Sequence, residues 1–200
     1  MRTRWIGVLG PLVLAVAFLG TDPGTAAEKK HKKEHTGTPT KELKALFPTA
    51  TSFASRDCKP GRTQLTAIEE QIGAKLTDEE LHAKCWVGLK KGADGQTASL
   101  GIAWMTHVEG SHGDVEIGLA LDPQGKVLKL AVFEHEESKA IEKPEFLRQF
   151  EGKVPTDPFK VGQDIKAGDG EEKASQFVAT AAKKAALVIH AVVFSQKTQQ

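Results

Sequence analysis

No charge of one sign dominates this sequence: 27 Lys and Arg stand against 26 Asp and Glu in 200 residues. Without residues 1–27, which hold Arg2, Arg4 and Asp22, the balance is 25 to 25. Such neutrality argues against nucleic acid, or an anionic membrane surface, as the main partner. Cysteine is nearly missing, with only Cys58 and Cys85 present. Neither C-x-x-C nor C-x-x-C-H occurs, which excludes the close-spaced redox pair and the c-type haem attachment site. Nor is there a zinc-finger spacing, a nucleophile triad or a Walker loop. The chain carries none of the usual marks of a substrate-transforming enzyme.

What is present at the start reads as a secretory signal. Arg2 and Arg4 form a basic opening, Trp5 to Gly20 an apolar stretch interrupted by Pro11, and Thr25-Ala26-Ala27 a small-residue cleavage site. The apolar stretch is shorter than the ~20 residues of a spanning helix, so cleavage is expected rather than anchoring. No cysteine lies near that point to carry a lipid. The mature protein is expected to be periplasmic or secreted, without stable membrane insertion. In an oxidising compartment Cys58 and Cys85 default to a structural disulfide. It would close about 28 residues and contribute roughly 3–4 kcal/mol on a chain-entropy model. Residues 28–40 begin EKKHKKEH and run through Gly37 and Pro39, a basic flexible linker. His31 and His35 could ligate a metal, but such runs are ordinarily solvated tails.

Residues 41–84 read as an N-terminal helical part. KELKALFP places Leu43, Leu46 and Phe47 on one side of a short helix ended by Pro48. Phe53 lies in TATSFASRDC, a short strand or extended segment, and Lys59-Pro60-Gly61 is a turn. Thr66 and Glu69 make a capping-box pattern, and Ile68, Ile72 and Leu76 recur at helical spacing, which predicts a helix over 66–75. Thr77 opens a second box, TDEE.

Residues 85–195 change period. CWVGLK and TASLGIAWMTHV flank the turn Gly92–Gly95 as a hairpin. DVEIGLALD puts Val115, Ile117, Leu119 and Leu121 on one face, and after the turn DPQG the next strand puts Leu128, Leu130 and Val132 inward. Trp86 and Trp104 are expected as cross-strand partners. The result is an α+β domain: about four antiparallel strands with one buried face, covered by helices and closed by a long C-terminal helix.

From His112 onward four stretches follow in order: HGDVEIGLALDPQGKVLKLAVFEHEES, PEFLRQFEGK, DPFKVGQDI and the glycine-bearing helix start KAGDGEEKASQFVATAAKKAALVI. This succession resembles the FMN-binding domain family, exported or membrane-attached flavin carriers. The resemblance implies FMN between the sheet edge and the start of the last helix, with His112, Gly113, Asp164, Gly168, Asp169, Gly170, Glu172 and Ser175 around it. It also implies electron transfer with periplasmic or membrane redox proteins, the flavin doing the chemistry. Many members carry the flavin covalently, through a phosphoester to a threonine in a Ser-Gly-Ala-Thr type of run. Here that run falls on Asp169-Gly170-Glu171-Glu172. The flavin-bearing position is Glu172, whose carboxylate cannot be the hydroxyl acceptor. Lys166 stands at an acidic position of the family, and Ser138-Lys139-Ala140-Ile141 replaces a glycine-rich stretch. Ser175 lies one turn along, outside the motif. Any FMN is thus expected to be held noncovalently.

The residues themselves leave a second reading open. Asp169 as N-cap and Glu172 as third helical residue would form an acidic capping box. Glu171 and Glu172 would each favour the helix dipole by ~0.3–1 kcal/mol, and the carboxylates would repel a dianionic phosphate. The alternative is therefore a flavin-free degenerate domain acting as a protein- or metal/haem-binding module. His107, His112 and His135 could supply a metal or haem site if the hairpins bring them together. His112-Gly113 could approach an isoalloxazine ring or simply turn the chain. Glu134, Glu136 and Glu137 read as a solvated strand end.

Overall fold

Alternation of large and small side chains gives the sheet two different faces. The strands are β1 (Ser52–Asp57), β2 (Lys84–Lys91), β3 (Thr97–Glu109), β4 (Asp114–Leu121) and β5 (Val127–Glu134). They pair antiparallel in the order β1-β2-β3-β4-β5. These elements come from a computed structural model that describes residues 38–194. The signal sequence expected over 1–27, and the linker as far as Gly37, lie outside the described residues. All described residues belong to the unit Gly37–Gln200.

One face carries Ile102, Trp104, Val115, Ile117, Leu119 and Leu121, all buried. Across it lies α5 (Glu172–Val193), the long C-terminal helix. Its buried stripe is rich in alanine, including Ala179, Ala182 and Ala186, so its backbone can approach the strands closely. Helix α2 (Arg62–Ile72) packs beside it through Ile68.

The opposite face is small at its centre, with Gly88, Gly118, Ala103 and Ala120, and carries Trp86, Met105 and Phe133 around them. Here α1 (Thr40–Leu46) lays down Leu43, Leu46 and the following Phe47, as its sequence pattern predicts. A Cβ on Gly88 would meet Phe47 Cγ at 2.7 Å, and one on Gly118 would meet Leu46 Cδ1 at 2.9 Å. The sheet centre is therefore buried on both sides. Class and closing helix agree with the sequence. The strand count is five, because β1 adds an edge where TATSFASRDC left strand or extended chain open.

Cys58 and Cys85 form the expected disulfide, with Cα atoms 5.1 Å apart, joining the end of β1 to the start of β2. Both are fully buried, and the bridge is consistent with an oxidising compartment.

Local details depart from the sequence reading in three places. Helix α2 starts at Arg62, not Thr66: Gly61 donates to Gln64 Oε1 at 2.8 Å, and Thr66 sits within the helix, its hydroxyl on the Arg62 carbonyl. Trp86 and Trp104 are not partners. Trp86 lies opposite Ala103 and Trp104 opposite Cys85, so alternation sends the two indoles to opposite faces. Leu128 points outward, 40% exposed. A register shift at Ala120/Leu121 pairs Leu121 with Val127 and Ala120 with Lys129, so Val127 takes the inward place and Leu128 becomes the extra residue of a bulge. The Thr77 box is as expected and opens α3 (Asp78–His82): Glu80 N donates to Thr77 Oγ1, and Thr77 N to Glu80 Oε2.

Candidate functional site

The expected site residues fall on three pieces of backbone. His112 and Gly113 lie in the turn between β3 and β4, and Asp164 in the Asp-Pro loop. Gly168, Asp169 and Gly170 form a 3-10 turn leading into α5, whose first turn holds Glu172 and Ser175. The chain that follows β5 connects the first piece to the last.

Its Glu137 carries a side chain only 4% exposed. One carboxylate oxygen accepts from the backbone N–H groups of both Ser111 and His112, and the other meets His112 Nδ1 at 3.2 Å. Burial pushes the Glu137 carboxyl up, but the bonds from His112 and Ser111 outweigh it and hold the group below its ordinary range. Glu137 is a latch on the β3–β4 turn, not the solvated end the sequence suggested. Glu134 and Glu136 are exposed.

A few residues on, the 3-10 turn Lys139–Glu142 backs onto Gly168. A Cβ at Gly168 would lie 2.6 Å from the Ala140 carbonyl oxygen, so only glycine permits this approach. Lys143 then pairs with Asp169 at 2.5 Å, which raises the lysine pKa through that hydrogen bond. Asp169 itself adopts a left-handed conformation, φ 47°. The stretch Ser138-Lys139-Ala140-Ile141 is thus packed against the lead-in to α5.

This arrangement corrects the capping box inferred for Asp169 and Glu172. Helix α5 begins at Glu172, so Glu172 is its first residue and not its third, and no side chain caps it. Asp169 is turned to Lys143 instead. Ser175 is fully buried, and its hydroxyl accepts the N–H of Gly168 at 3.0 Å. Neither Glu172 nor Ser175 therefore fits as an acceptor for a covalently attached flavin: one has no hydroxyl, and the other's is enclosed.

Asp164 serves its own loop. Its carboxylate accepts from Phe159 N at 3.1 Å, Lys160 N at 2.7 Å and Lys153 Nζ at 2.8 Å. Burial raises its pKa, but these bonds lower it further than burial lifts it. Phe159 is buried with φ 53°, a backbone state costly for a bulky residue, and Asp164 is what fixes it. From α5, Lys183 donates to the carbonyls of Pro155 and Asp157 at 2.6 and 2.7 Å. Burial pushes its ammonium pKa down, against Asp157 and Asp164, which push it up.

His107, His112 and His135 do not build a shared site. His112 meets Glu137, and His135 Nε2 meets Glu142 Oε1 at 2.6 Å. Among the described residues no three His, Cys, Asp or Glu side chains gather to hold a metal.

Sequence reasoning missed the long-range polar links: the exposed pair Lys143–Asp169, the enclosed Glu137 and Lys183, and the pair Glu80–Lys184, which joins α3 to α5. One signal was available. Lys183 and Lys184 interrupt an otherwise small and apolar helix, where a lysine must either reach water or find a partner. No family model matches the chain, and no curated protein matches it. The likeness to FMN-binding domains therefore rests on the quoted stretches and their order.

Proposed function

We propose that the chain is an exported, flavin-free binding module built on an FMN-binding-like scaffold, with another protein as its partner. The observation that carries this reading is the contact of Ala140 with Gly168. The backbone of residues 139–142 lies directly against the approach to α5, beside the buried Ser175 hydroxyl. That is where the resemblance would put a flavin. Two further links, Glu137 to the β3–β4 turn and Lys143 to Asp169, brace the same segment. A protein partner is favoured over a metal ion because no three His, Cys, Asp or Glu side chains gather among the described residues. Export rests on the basic and apolar start of the chain, and the buried disulfide agrees with it.

A second reading has its own observation. The first turn of α5 has no side-chain cap, so its N–H groups and partial positive charge face no competing carboxylate from Asp169. A phosphate could use them, and the protein would then carry FMN noncovalently between periplasmic or membrane redox proteins. Calorimetric titration of the purified mature protein with FMN separates the two. No heat of binding is expected. Saturable binding, lost when Lys143 is replaced by Glu, would overturn the flavin-free reading.

A further inference from the structure

The face of the sheet turned away from α5 carries a groove of about 230 Å³. Leu46, Phe47 and Pro48 at the end of α1 form one wall, and Leu100, Leu128 and Lys129 the other. The bulge described above creates this wall. It leaves Leu128 as the one large hydrophobic side chain exposed among the described residues, and sets Lys129 opposite Ala120 on the α1 side. Lys129 is half-buried and has no hydrogen bond or ion pair among the described residues. An apolar trough with an unpaired lysine on its wall suits a ligand that is apolar along its length and anionic at one end.

We propose that this groove binds a single-chain aliphatic carboxylate from solution, its carboxylate on Lys129 Nζ and its chain against Leu128, Leu46 and Phe47. At about 230 Å³ the groove is smaller than the roughly 300–1,000 Å³ usual for ligand pockets, so one short chain is the size that suits it. The assignment is independent of flavin occupancy, because α5 and the groove lie on opposite faces of the sheet.

The test is calorimetric titration of the full mature chain with octanoate, octyltrimethylammonium and octanol, beside sedimentation with phosphatidylglycerol vesicles. Octanoate should bind saturably and more tightly than the cationic chain. Lys129→Ala should weaken octanoate about tenfold, the loss of one charge-assisted contact, while Lys129→Arg retains it. Leu128→Asp should abolish binding. Both positions face solvent or the groove, and circular dichroism of each variant checks that it is folded. The proposal is overturned if octanoate does not bind, if it binds no better than octyltrimethylammonium, if Lys129→Ala has no effect, or if the protein associates with vesicles alone.

Discussion

The ammonium of Lys184 donates to Glu80 Oε1 across 104 residues of chain. Glu80 is 4% exposed and also accepts from Thr106 Oγ1 at 2.6 Å, while Lys184 reaches the His107 carbonyl at 3.1 Å. One buried network thus joins α3, β3 and α5. Removing one partner strands the other. Lys184→Met should cost about 3–5 kcal/mol in urea unfolding, and Glu80→Leu with Lys184→Met should recover most of it.

The same network sets an acid limit. Burial raises the Glu80 pKa, but the hydrogen bonds from Lys184, Thr106 and Thr77 outweigh it and bring the group below its ordinary 4.5. A carboxylate with a depressed folded pKa contributes stability that is full above the unfolded value and lost as pH falls through the folded one. Wild-type stability should therefore fall with acid below about pH 5 more steeply than that of the double variant. Equal slopes would mean that the network does not depress the Glu80 pKa in the fold.

Gly118 tests the packing of α1. Alanine there would bring its Cβ to 2.7 Å from Phe133 and 2.9 Å from Leu46. We expect Gly118→Ala to destabilise by about 1–3 kcal/mol, and Leu46→Ala in the same chain to relieve part of that cost. A neutral Gly118→Ala would show that α1 does not rest on this face.

The disulfide gives a fourth expectation. Replacing Cys58 and Cys85 by alanine should lower stability by roughly 3 kcal/mol through the freed loop of 27 residues' separation. Thermal unfolding with and without reductant checks it, and a reductant-insensitive midpoint in the wild type would contradict a structural bridge.

Glu137 offers a local readout. Glu137→Gln should speed hydrogen exchange at the Ser111 and His112 amides, which donate to it, while leaving core strand amides such as Ile117 protected. Acid should do the same in the wild type, because a carboxyl with a lowered folded pKa loses its grip as pH falls through that value. Unchanged exchange at both amides would remove the latch.

The sheet was legible because β4 alternates without a break: Val115, Ile117, Leu119 and Leu121 are each fully buried. Leu128 was misplaced because a bulge adds one residue, and alternation alone cannot place the addition. Trp86 and Trp104 were misjudged for a related reason, since pairing depends on a register that neither strand states by itself. The start of α5 was harder still. Local capping rules gave Asp169 to Glu172, whereas the fold gives Asp169 to Lys143, 26 residues earlier. Glu137 looked like one of three surface carboxylates. Its role exists only because the β3–β4 turn comes within hydrogen-bond reach, a long-range fact with no trace in its neighbours.

The visible absorption spectrum of the mature protein, purified from its own export pathway and read before and after acid precipitation, tests the central claim most directly. The account predicts a colourless protein and a colourless supernatant, because Ala140 lies against Gly168 where the resemblance would put a flavin. Flavin bands that pass into the supernatant would contradict it and make the chain a carrier of noncovalent FMN.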